Sequence, residues 1–334
     1  MAPYLIVSLL YVTSFFLPGV LTAPVCTEIV VPVSITANKA SAVSGGYDIA
    51  GRYCKPEVHI ASRQHTLQLL AHPATYERNY VSSECISCLP IIRENNECHF
   101  GIKMLIFRQW SGRGYPGFGL NDPEYSWVEY ASQQGYPTFA FDRLGNGNSS
   151  HPNSVAAVQC PAQAAITHEI IRIARADQSP FPRSFQDIIV VGASMGSLNA
   201  NYLNVNYPQD VNATILTAIS KDWVSVIPGF TVTAGLVPAV GVNYAKYGSL
   251  DPGYLQASIQ SGVAALLFHG PGQYYNTSFI AQDYNNRGPS RDSRAETIGL
   301  CERLTDGHVH EYSGLISKEG EMTLLSNLNF PIKI

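Results

Sequence analysis

The pentapeptide Gly192-Ala193-Ser194-Met195-Gly196 constrains the fold of this chain more than any other stretch. It follows residues 187–191, a continuous apolar and β-branched run of strand length. It precedes residues 197–207, which contain neither glycine nor proline and therefore predict a helix. A strand, a Gly-x-Ser-x-Gly turn and a helix together are the context of a nucleophile elbow. In so tight a turn the side chains flanking the serine would collide, so both flanking positions are glycine.

Ser194 is the candidate nucleophile. It is expected at the carboxyl end of a strand and the amino end of a helix, where backbone N–H groups and the helix dipole favour developing negative charge. The pattern alone is weak, because with glycine and serine at about 7% each it occurs by chance in about one chain of this length in ten. A buried turn serine is the alternative, and the flanking strand and helix favour the nucleophile interpretation.

The composition limits the possible partners. At 334 residues the chain can form one large α/β domain or two modest ones, with a substantial core. A net charge of -4 without a basic block argues against a nucleic-acid partner. The sequence shows no phosphate-binding loop and indicates no organic cofactor. Cys85-x-x-Cys88 with Cys98 resembles a zinc or redox spacing, but no histidine pair completes a metal site.

The first residues favour export. Residues 4–21 form an uncharged apolar run, and Thr22-Ala23 supplies the small residues that signal peptidase prefers. We interpret residues 1–23 as a signal peptide and expect a secreted protein without a stable membrane span after its removal. A membrane anchor is the alternative, although Pro18-Gly19 counts against a stable span.

Other features agree with secretion. Asn148, Asn212 and Asn276 each begin an N-glycosylation acceptor sequence, so we expect a glycoprotein. Seven cysteines in an exported chain make disulfides plausible. Cys26 and Cys54 are the preferred pair, because they flank the first two expected strands.

Alternating strands and helices predict an α/β fold with a doubly wound, mostly parallel sheet covered on both faces. Gly45-Gly46 is expected to form the turn between the first two strands, and Asp122-Pro123 and Pro161 are expected to open helices. The predicted strands are 28–35, 47–53, 66–71, 137–141, 187–191 and 213–220.

Three motifs carry a family resemblance. The turn at His72, the loop Asp142-Arg143-x-Gly145-x-Gly147-x-Ser149 and the elbow at Ser194 occur in the order and rough spacing of the α/β-hydrolase fold. The chain resembles secreted fungal members of the esterase- and lipase-like set over residues 45–80 and 110–280. The resemblance implies a Ser-acid-His triad and a cap inserted after the strand at 213–220.

The resemblance also implies an oxyanion hole. Met195 N–H is one expected donor, and Ala74 N–H is the expected second, because it follows His72-Pro73. Relatives have His-Gly here, and Pro73 lacks an N–H, so the register of the second donor is open by one residue. Asp142 and Arg143 are expected to brace the site rather than to act in catalysis.

The expected organisation is a core over 24–221, a cap-like region over 222–318 and the start of a C-terminal core segment over 319–334. The apolar cap suits a small apolar ester or lactone, with a loop-rich surface elaboration as the alternative. Relatives lack an equivalent of 81–109, which we interpret as a non-native insertion, a translated intron.

The triad acid and histidine follow the last core strands in the family, so we expect them beyond Ile334 and the C-terminal end to be missing. Asp222, His308 and His310 are weak substitutes. We therefore expect a serine hydrolase of carboxylesterase or lactonase type that forms an acyl-enzyme on Ser194, with reduced or no activity as written. A glycosylated, non-catalytic hydrolase-like binding protein is the alternative.

Overall fold

A computed structural model describes most of the chain from Pro24 to Thr323. The described residues are 24–37, 43–78, 93–94, 97–98, 126–177, 180–218, 231–267, 277–285, 287–289, 315–317 and 322–323.

An eight-stranded sheet organises these residues, with the strand order β1-β2-β6-β3-β7-β8-β11-β12. The strands are β1 (Val25–Ala37), β2 (Val43–Lys55), β3 (Thr66–Ala71), β6 (Thr138–Phe141), β7 (Asp187–Ala193), β8 (Ala213–Thr217), β11 (Leu315–Ser317) and β12 (Met322–Thr323). The four central strands, β6, β3, β7 and β8, are mutually parallel. The pairs at both sides of them, β1–β2, β2–β6, β8–β11 and β11–β12, are antiparallel.

Helices cover both faces of the sheet. The helices that pack against the sheet are α1 (Trp127–Gln133), α2 (Cys160–Arg175) and α3 (Met195–Asn206). Leu69 and Val190 point to the face on which α2 and α3 pack, whereas Leu70 and Val191 join a second cluster with Val128 of α1. Because successive strand residues face opposite sides, a continuous apolar run is what a sheet covered on both faces requires. The predicted doubly wound α/β fold is confirmed.

One local prediction is wrong, and another falls outside the described residues. Gly45 and Gly46 do not form a turn but lie inside β2, opposite Ile35 and Ser34 of β1. The ladder hydrogen bonds of thirteen paired positions outweigh the turn preference of glycine here. The first helix begins at Trp127 and is capped by the Ser126 side chain, which accepts from Glu129 N–H; Asp122-Pro123 lies outside the described residues.

The predicted Cys26–Cys54 disulfide is present and joins directly opposed positions of β1 and β2. Cys160, the first residue of α2, is also disulfide-bonded. Gly135 follows α1 with φ of 79°, the left-handed conformation typical of a glycine that closes a helix.

The region expected to form a cap contains short elements. They are β9 (Leu236–Pro238), α4 (Ala239–Val242), α5 (Tyr244–Tyr247), β10 (Leu255–Ala257), α6 (Gln260–Leu267) and α7 (Thr277–Asn285). Ala234, Ala257 and Val263 form a small core of their own. Buried Tyr254 joins the main core and donates its hydroxyl to Pro152 O at 2.7 Å. The region therefore has a separate small core and is anchored to the loop that follows β6.

A further pair of short strands is described. β4 (Arg93–Glu94) and β5 (Glu97–Cys98) form an antiparallel pair inside the segment 81–109, most of which lies outside the described residues. Within 319–334 the structure describes β12 alone. Residues 1–23, which we interpret from the sequence as a signal peptide, also lie outside the described residues. No described helix is long and apolar enough to cross a membrane.

Candidate active site

Ser194 occupies the junction between β7 and α3. Its φ of 52° and ψ of -113° place it in a backbone conformation that residues other than glycine rarely adopt. Such strain costs on the order of 1–3 kcal/mol and persists only where the surroundings impose it. The residue is partly exposed, although Ala193 and Met195 on both sides are buried. The junction thus presents the Ser194 side chain away from the core.

The two flanking glycines are required by backbone contacts. A Cβ atom on Gly192 would lie 2.6 Å from Gly196 O, so the two ends of the turn touch each other. A Cβ atom on Gly196 would lie 1.9 Å from Ala71 O, at the end of β3. The elbow is therefore in backbone contact with the strand that leads into the turn at His72.

The last residue of β8 fixes the elbow from the other side. Ser194 N–H donates to Thr217 O at 2.9 Å. The Ser197 hydroxyl donates to the same oxygen at 2.7 Å and accepts from Thr217 N–H at 2.9 Å. The Thr217 hydroxyl donates to Gly192 O at 2.8 Å. Both ends of the elbow are thus tied to β8.

The turn after β3 is fixed by a buried, neutral histidine. His72 Nε2 accepts from Arg143 N–H at 3.0 Å, so the ring proton is on Nδ1, which donates to Pro73 O at 2.8 Å. Burial, and next the positive charge of Arg143, hold the pKa of His72 well below its usual 6.5. With both ring nitrogens engaged, His72 is not placed to act as a base for Ser194.

The peptide between Pro73 and Ala74 has a defined orientation. Pro73 O accepts from His72 Nδ1 and from Arg143 Nη2, the latter at 3.0 Å. The C=O and N–H of a trans peptide point in opposite directions, so Ala74 N–H points away from His72 and Arg143. Within the described part of the chain Ala74 N–H has no backbone acceptor. Met195 N–H, in the first turn of α3, also lacks an acceptor within its own helix.

Thr75 is strained like Ser194, with φ of 65°. Its hydroxyl accepts from Arg287 Nη1 at 2.9 Å, and its carbonyl accepts from Gly288 N–H at 3.0 Å. Residues more than 200 positions away along the chain therefore hold the turn that contains Ala74.

Asp142 organises the loop after β6. This fully buried carboxylate forms an ion pair with Arg78 and also accepts Arg78 N–H at 2.6 Å and Asn148 N–H at 2.8 Å. Burial raises the pKa of Asp142, and the Arg78 charge opposes this shift. Gly147 must be glycine, because a Cβ atom would lie 2.3 Å from Asp142 Cγ. Asp142 and Arg143 thus hold the loop after β6 to the turn that follows β3, through Arg78 N–H, His72 O and Pro73 O.

The sequence of residues 113–249 matches a family whose description is "alpha/beta hydrolase fold". This match covers the loop at Asp142 and the elbow at Ser194, and the strand order places both at the carboxyl-end edge of the parallel strands. The chain has the α/β-hydrolase fold. The match supports hydrolase activity as a class.

Solved structures that are similar to the chain include the following three proteins. A highly thermostable carboxyl esterase from Bacillus coagulans is 12% identical over 85% of this chain and 75% of that chain, with a TM-score of 0.41. An epoxide hydrolase from Vigna radiata is 13% identical over 83% and 73%, with a TM-score of 0.40. A hypothetical protein from Pseudomonas aeruginosa is 15% identical over 69% and 56%, with a TM-score of 0.36. The chain thus spans little more than half the length of the third. No curated protein sequence matches the chain.

His168 forms a hydrogen-bonded histidine–carboxylate pair in the described part of this α/β-hydrolase fold. His168 Nδ1 lies 2.7 Å from Asp210 Oδ2. Asp210 precedes Asn212, which bonds to Ile188 N–H at the start of β7. Because Ser194 follows the end of β7, the pair lies at the opposite edge of the sheet and cannot be part of its triad.

Three further histidines, His59, His65 and His151, are described. His59 and His65 lie in the connection that enters β3 at the amino-end edge. His151 lies after β6, with its ring centroid 5.6 Å from that of Tyr254. The predicted substitutes for the triad, Asp222, His308 and His310, lie outside the described residues. Within the described ranges, no group of three His, Cys, Asp or Glu side chains could hold a metal ion.

Sequence reasoning missed the residues that support the site. Arg78, Asp283 and Arg287 all contact the turn or the loop beside Ser194. Arg78 follows the His72 turn by six positions, but neither its spacing nor that of the other two indicates such contacts. A buried partner 212 positions away leaves no pattern in a single sequence.

Proposed function

We propose that this protein is a serine hydrolase that cleaves a small apolar carboxylic ester or lactone through an acyl-enzyme on Ser194. The observation that carries the proposal is the strained, partly exposed Ser194 between β7 and α3, next to Met195 N–H, which lacks an acceptor within its own helix. Strain of this kind is maintained only where neighbouring contacts impose it, as the glycine contacts and Thr217 do here.

In the proposed reaction Ser194 Oγ attacks the carbonyl carbon of the ester and its proton passes to a general base. The C–O bond to the alcohol then breaks, and the alcohol leaves with that proton. Water attacks the acyl-enzyme in the second half, which releases the acid and restores the Ser194 hydroxyl. In a lactone the alcohol and the acid remain part of one molecule.

The negative charge on the tetrahedral oxygen would be stabilised by Met195 N–H and Ala74 N–H. Met195 N–H lies at the amino end of α3, where the helix dipole favours an anion. Ala74 N–H points away from the buried side of its turn, as the bonds to Pro73 O require. Donors fixed in advance typically contribute about 10²–10³ in rate.

The general base and its acid are to be sought outside the described residues, where Asp222, His308 and His310 lie. No described imidazole is bonded to the Ser194 hydroxyl, an observation that keeps the second candidate function: a hydrolase-like binding protein without turnover. Replacing each of these three residues by alanine and measuring ester hydrolysis identifies any that acts in the reaction.

Labelling with a fluorophosphonate probe tests the two candidates. We expect the folded, full-length protein to be labelled, Ser194→Ala to lose the label, and Ser62→Ala, an exposed serine remote from the elbow, to keep it. Absence of labelling in protein that shows a cooperative unfolding transition would favour the binding protein.

The preference for an apolar substrate is supported by the cap-like region, which exposes Val232, Val237 and Ile259. A series of p-nitrophenyl esters of increasing acyl length, together with simple lactones, tests this preference. We expect kcat/KM to rise with acyl length over the short members. A preference for charged or polar acyl groups would contradict it.

We further propose that the protein is exported. The Cys26–Cys54 disulfide and the disulfide at Cys160 agree with an oxidising compartment. Expression in a eukaryotic host, followed by N-terminal sequencing of the protein from the medium, tests cleavage after Ala23. Protein retained in the cytosol with Met1 intact would contradict the proposal.

A further inference from the structure

We propose that the buried Asp283–Arg287 pair, in and just after α7, positions the turn that presents Ala74 N–H to the substrate. The inference rests on the proposed function, because it gives these two residues a part in oxyanion stabilisation at Ser194. They are positioning residues that act through Thr75 and Tyr76, and neither needs to touch the substrate.

Arg287 makes several contacts with the turn. Its Nη1 donates to the Thr75 hydroxyl at 2.9 Å, and its Nη2 donates to the Tyr76 hydroxyl. Its guanidinium carbon lies 4.3 Å from the centroid of the Tyr76 ring, a cation–π distance. One side chain therefore contacts two successive residues of the turn.

Asp283 completes the arrangement. Its carboxylate accepts from Arg287 Nη2 at 2.7 Å and from Arg287 Nε at 3.2 Å. It also accepts the Tyr76 hydroxyl at 3.0 Å. The carboxylate thus neutralises the guanidinium and holds the same ring that the guanidinium contacts.

Both charged side chains are 2% exposed. The free energy needed to remove two charges from water is comparable to the free energy of their attraction, so a buried ion pair by itself adds little stability. Apolar residues of similar size would anchor α7 to the core equally well. The pair instead supplies directional hydrogen bonds at the residue whose backbone is strained.

The strained residue links this cluster to Ala74. Thr75 follows Ala74 directly, and its φ of 65° is unfavourable for a β-branched residue. Arg287 holds the Thr75 side chain, and Gly288 N–H holds its carbonyl at 3.0 Å. If these bonds are lost, Thr75 can relax toward negative φ, which reorients the peptides on both sides of it.

Ala74 consequently lies between two independent anchors. On its amino side, the core residues His72 and Arg143 fix Pro73 O. On its carboxyl side, Arg287 and Gly288 fix Thr75, and both come from the region assigned to the cap. The orientation of the second oxyanion donor therefore depends on whether the α7 segment is seated on the turn.

The test is a comparison of charge-removing and conservative variants. The double variant Asp283→Leu/Arg287→Met removes both charges and leaves no unpaired ion in the core. We expect it to fold cooperatively and to lose kcat by about tenfold or more, with KM changed by less than about threefold, because oxyanion donors act in the transition state. Arg287→Lys should recover part of the loss, since an ammonium still donates to Thr75.

The matched control is the surface pair Glu169 and Arg172 on α2, spaced i,i+3. The variant Glu169→Leu/Arg172→Met should retain wild-type kcat.

A folded Asp283→Leu/Arg287→Met protein with wild-type kcat overturns the inference and leaves the proposed function intact. Absence of Ser194-dependent labelling in the wild type overturns the proposed function first, and the inference with it. If the double variant does not fold, wild-type kcat in folded Arg287→Lys and Thr75→Val proteins overturns the inference, and a reduced kcat in both supports it.

Discussion

Gly196 of α3 and Ala71 of β3 are in backbone contact, so close that a Cβ atom on Gly196 would lie 1.9 Å from Ala71 O. Both partners of such a contact are backbone or backbone-bound, and neither can rotate away. The distance between the elbow that carries Ser194 and the turn that carries Ala74 is therefore set by the main chain.

Gly196→Ala tests this contact. The added methyl group must push α3 away from β3, so we expect the free energy of unfolding to fall by about 1–3 kcal/mol or more. Ser194 labelling should also slow, because the elbow moves with α3. Urea unfolding and labelling rates measure the two effects. Gly241→Ala is the control, since no atom lies within 4 Å of the position that its Cβ would occupy.

The neutral state of His72 predicts an acid-sensitive stability. Its pKa in the folded protein lies well below 6.5, so between these values the unfolded chain binds a proton that the folded protein does not. The free energy of unfolding therefore falls as the pH drops below about 6.5. In His72→Gln this slope should decrease by up to about 1.4 kcal/mol per pH unit. Equal slopes in both proteins would show that the folded protein protonates His72 as readily as the unfolded chain does.

His168 is expected to change the free energy of unfolding with pH in the opposite direction. Its hydrogen bond to Asp210 raises the pKa of His168 above 6.5, so the folded protein holds the proton more tightly than the unfolded chain. The contribution to stability is full below about 6.5 and is lost as the pH rises through the raised pKa.

Thermal unfolding of wild type and His168→Gln from pH 5 to 8.5 measures this effect. The difference in the free energy of unfolding between the two proteins should decrease with rising pH. It should not exceed about 1 kcal/mol, because the His168 side chain is partly exposed. A difference that grows with pH would contradict the assignment.

The disulfide between Cys26 and Cys54 closes a loop with a sequence separation of 28. Replacing both cysteines with serine should lower the free energy of unfolding by about 2–4 kcal/mol, mainly by freeing the unfolded chain. Denaturant titration of the double variant tests this value. A loss of less than about 1 kcal/mol would indicate that the unfolded chain retains pairing between β1 and β2, which restrains the ends of this loop without the disulfide.

Two of the predicted glycosylation sites differ in how accessible the asparagine side chain is. Asn148 is exposed, whereas the Asn212 amide accepts from Ile188 N–H at 3.0 Å and donates to Asp187 Oδ1 at 2.7 Å. We expect a glycan on Asn148 and none on Asn212. Asn148→Gln should remove one glycosidase-sensitive mass step, and Asn212→Gln should leave the glycan mass unchanged and lower the melting temperature. A mass step lost in Asn212→Gln would show that its side chain is free before folding is complete.

Local features were accessible from the sequence. The elbow, the helix opened by Pro161 and the buried strand Thr66–Ala71 each depend on neighbouring residues, whose side-chain size and backbone preference are fixed by residue type. The same holds for Cys26–Cys54, since two adjacent antiparallel strands of similar length bring those positions together.

The surroundings of Ser194 were decided by tertiary structure. Arg78 opposite Asp142, and Arg287 on Thr75 at a separation of 212, are contacts between residues from different elements, and each depends on where the sheet places their backbones. The sequence by itself determined where a serine could be presented at a sharp turn, because that turn is a property of five consecutive residues. Only the folded chain decided which groups hold the turn at Thr75 in place, because hydrogen bonds between distant segments are selected by burial and direction, and neither is encoded in spacing.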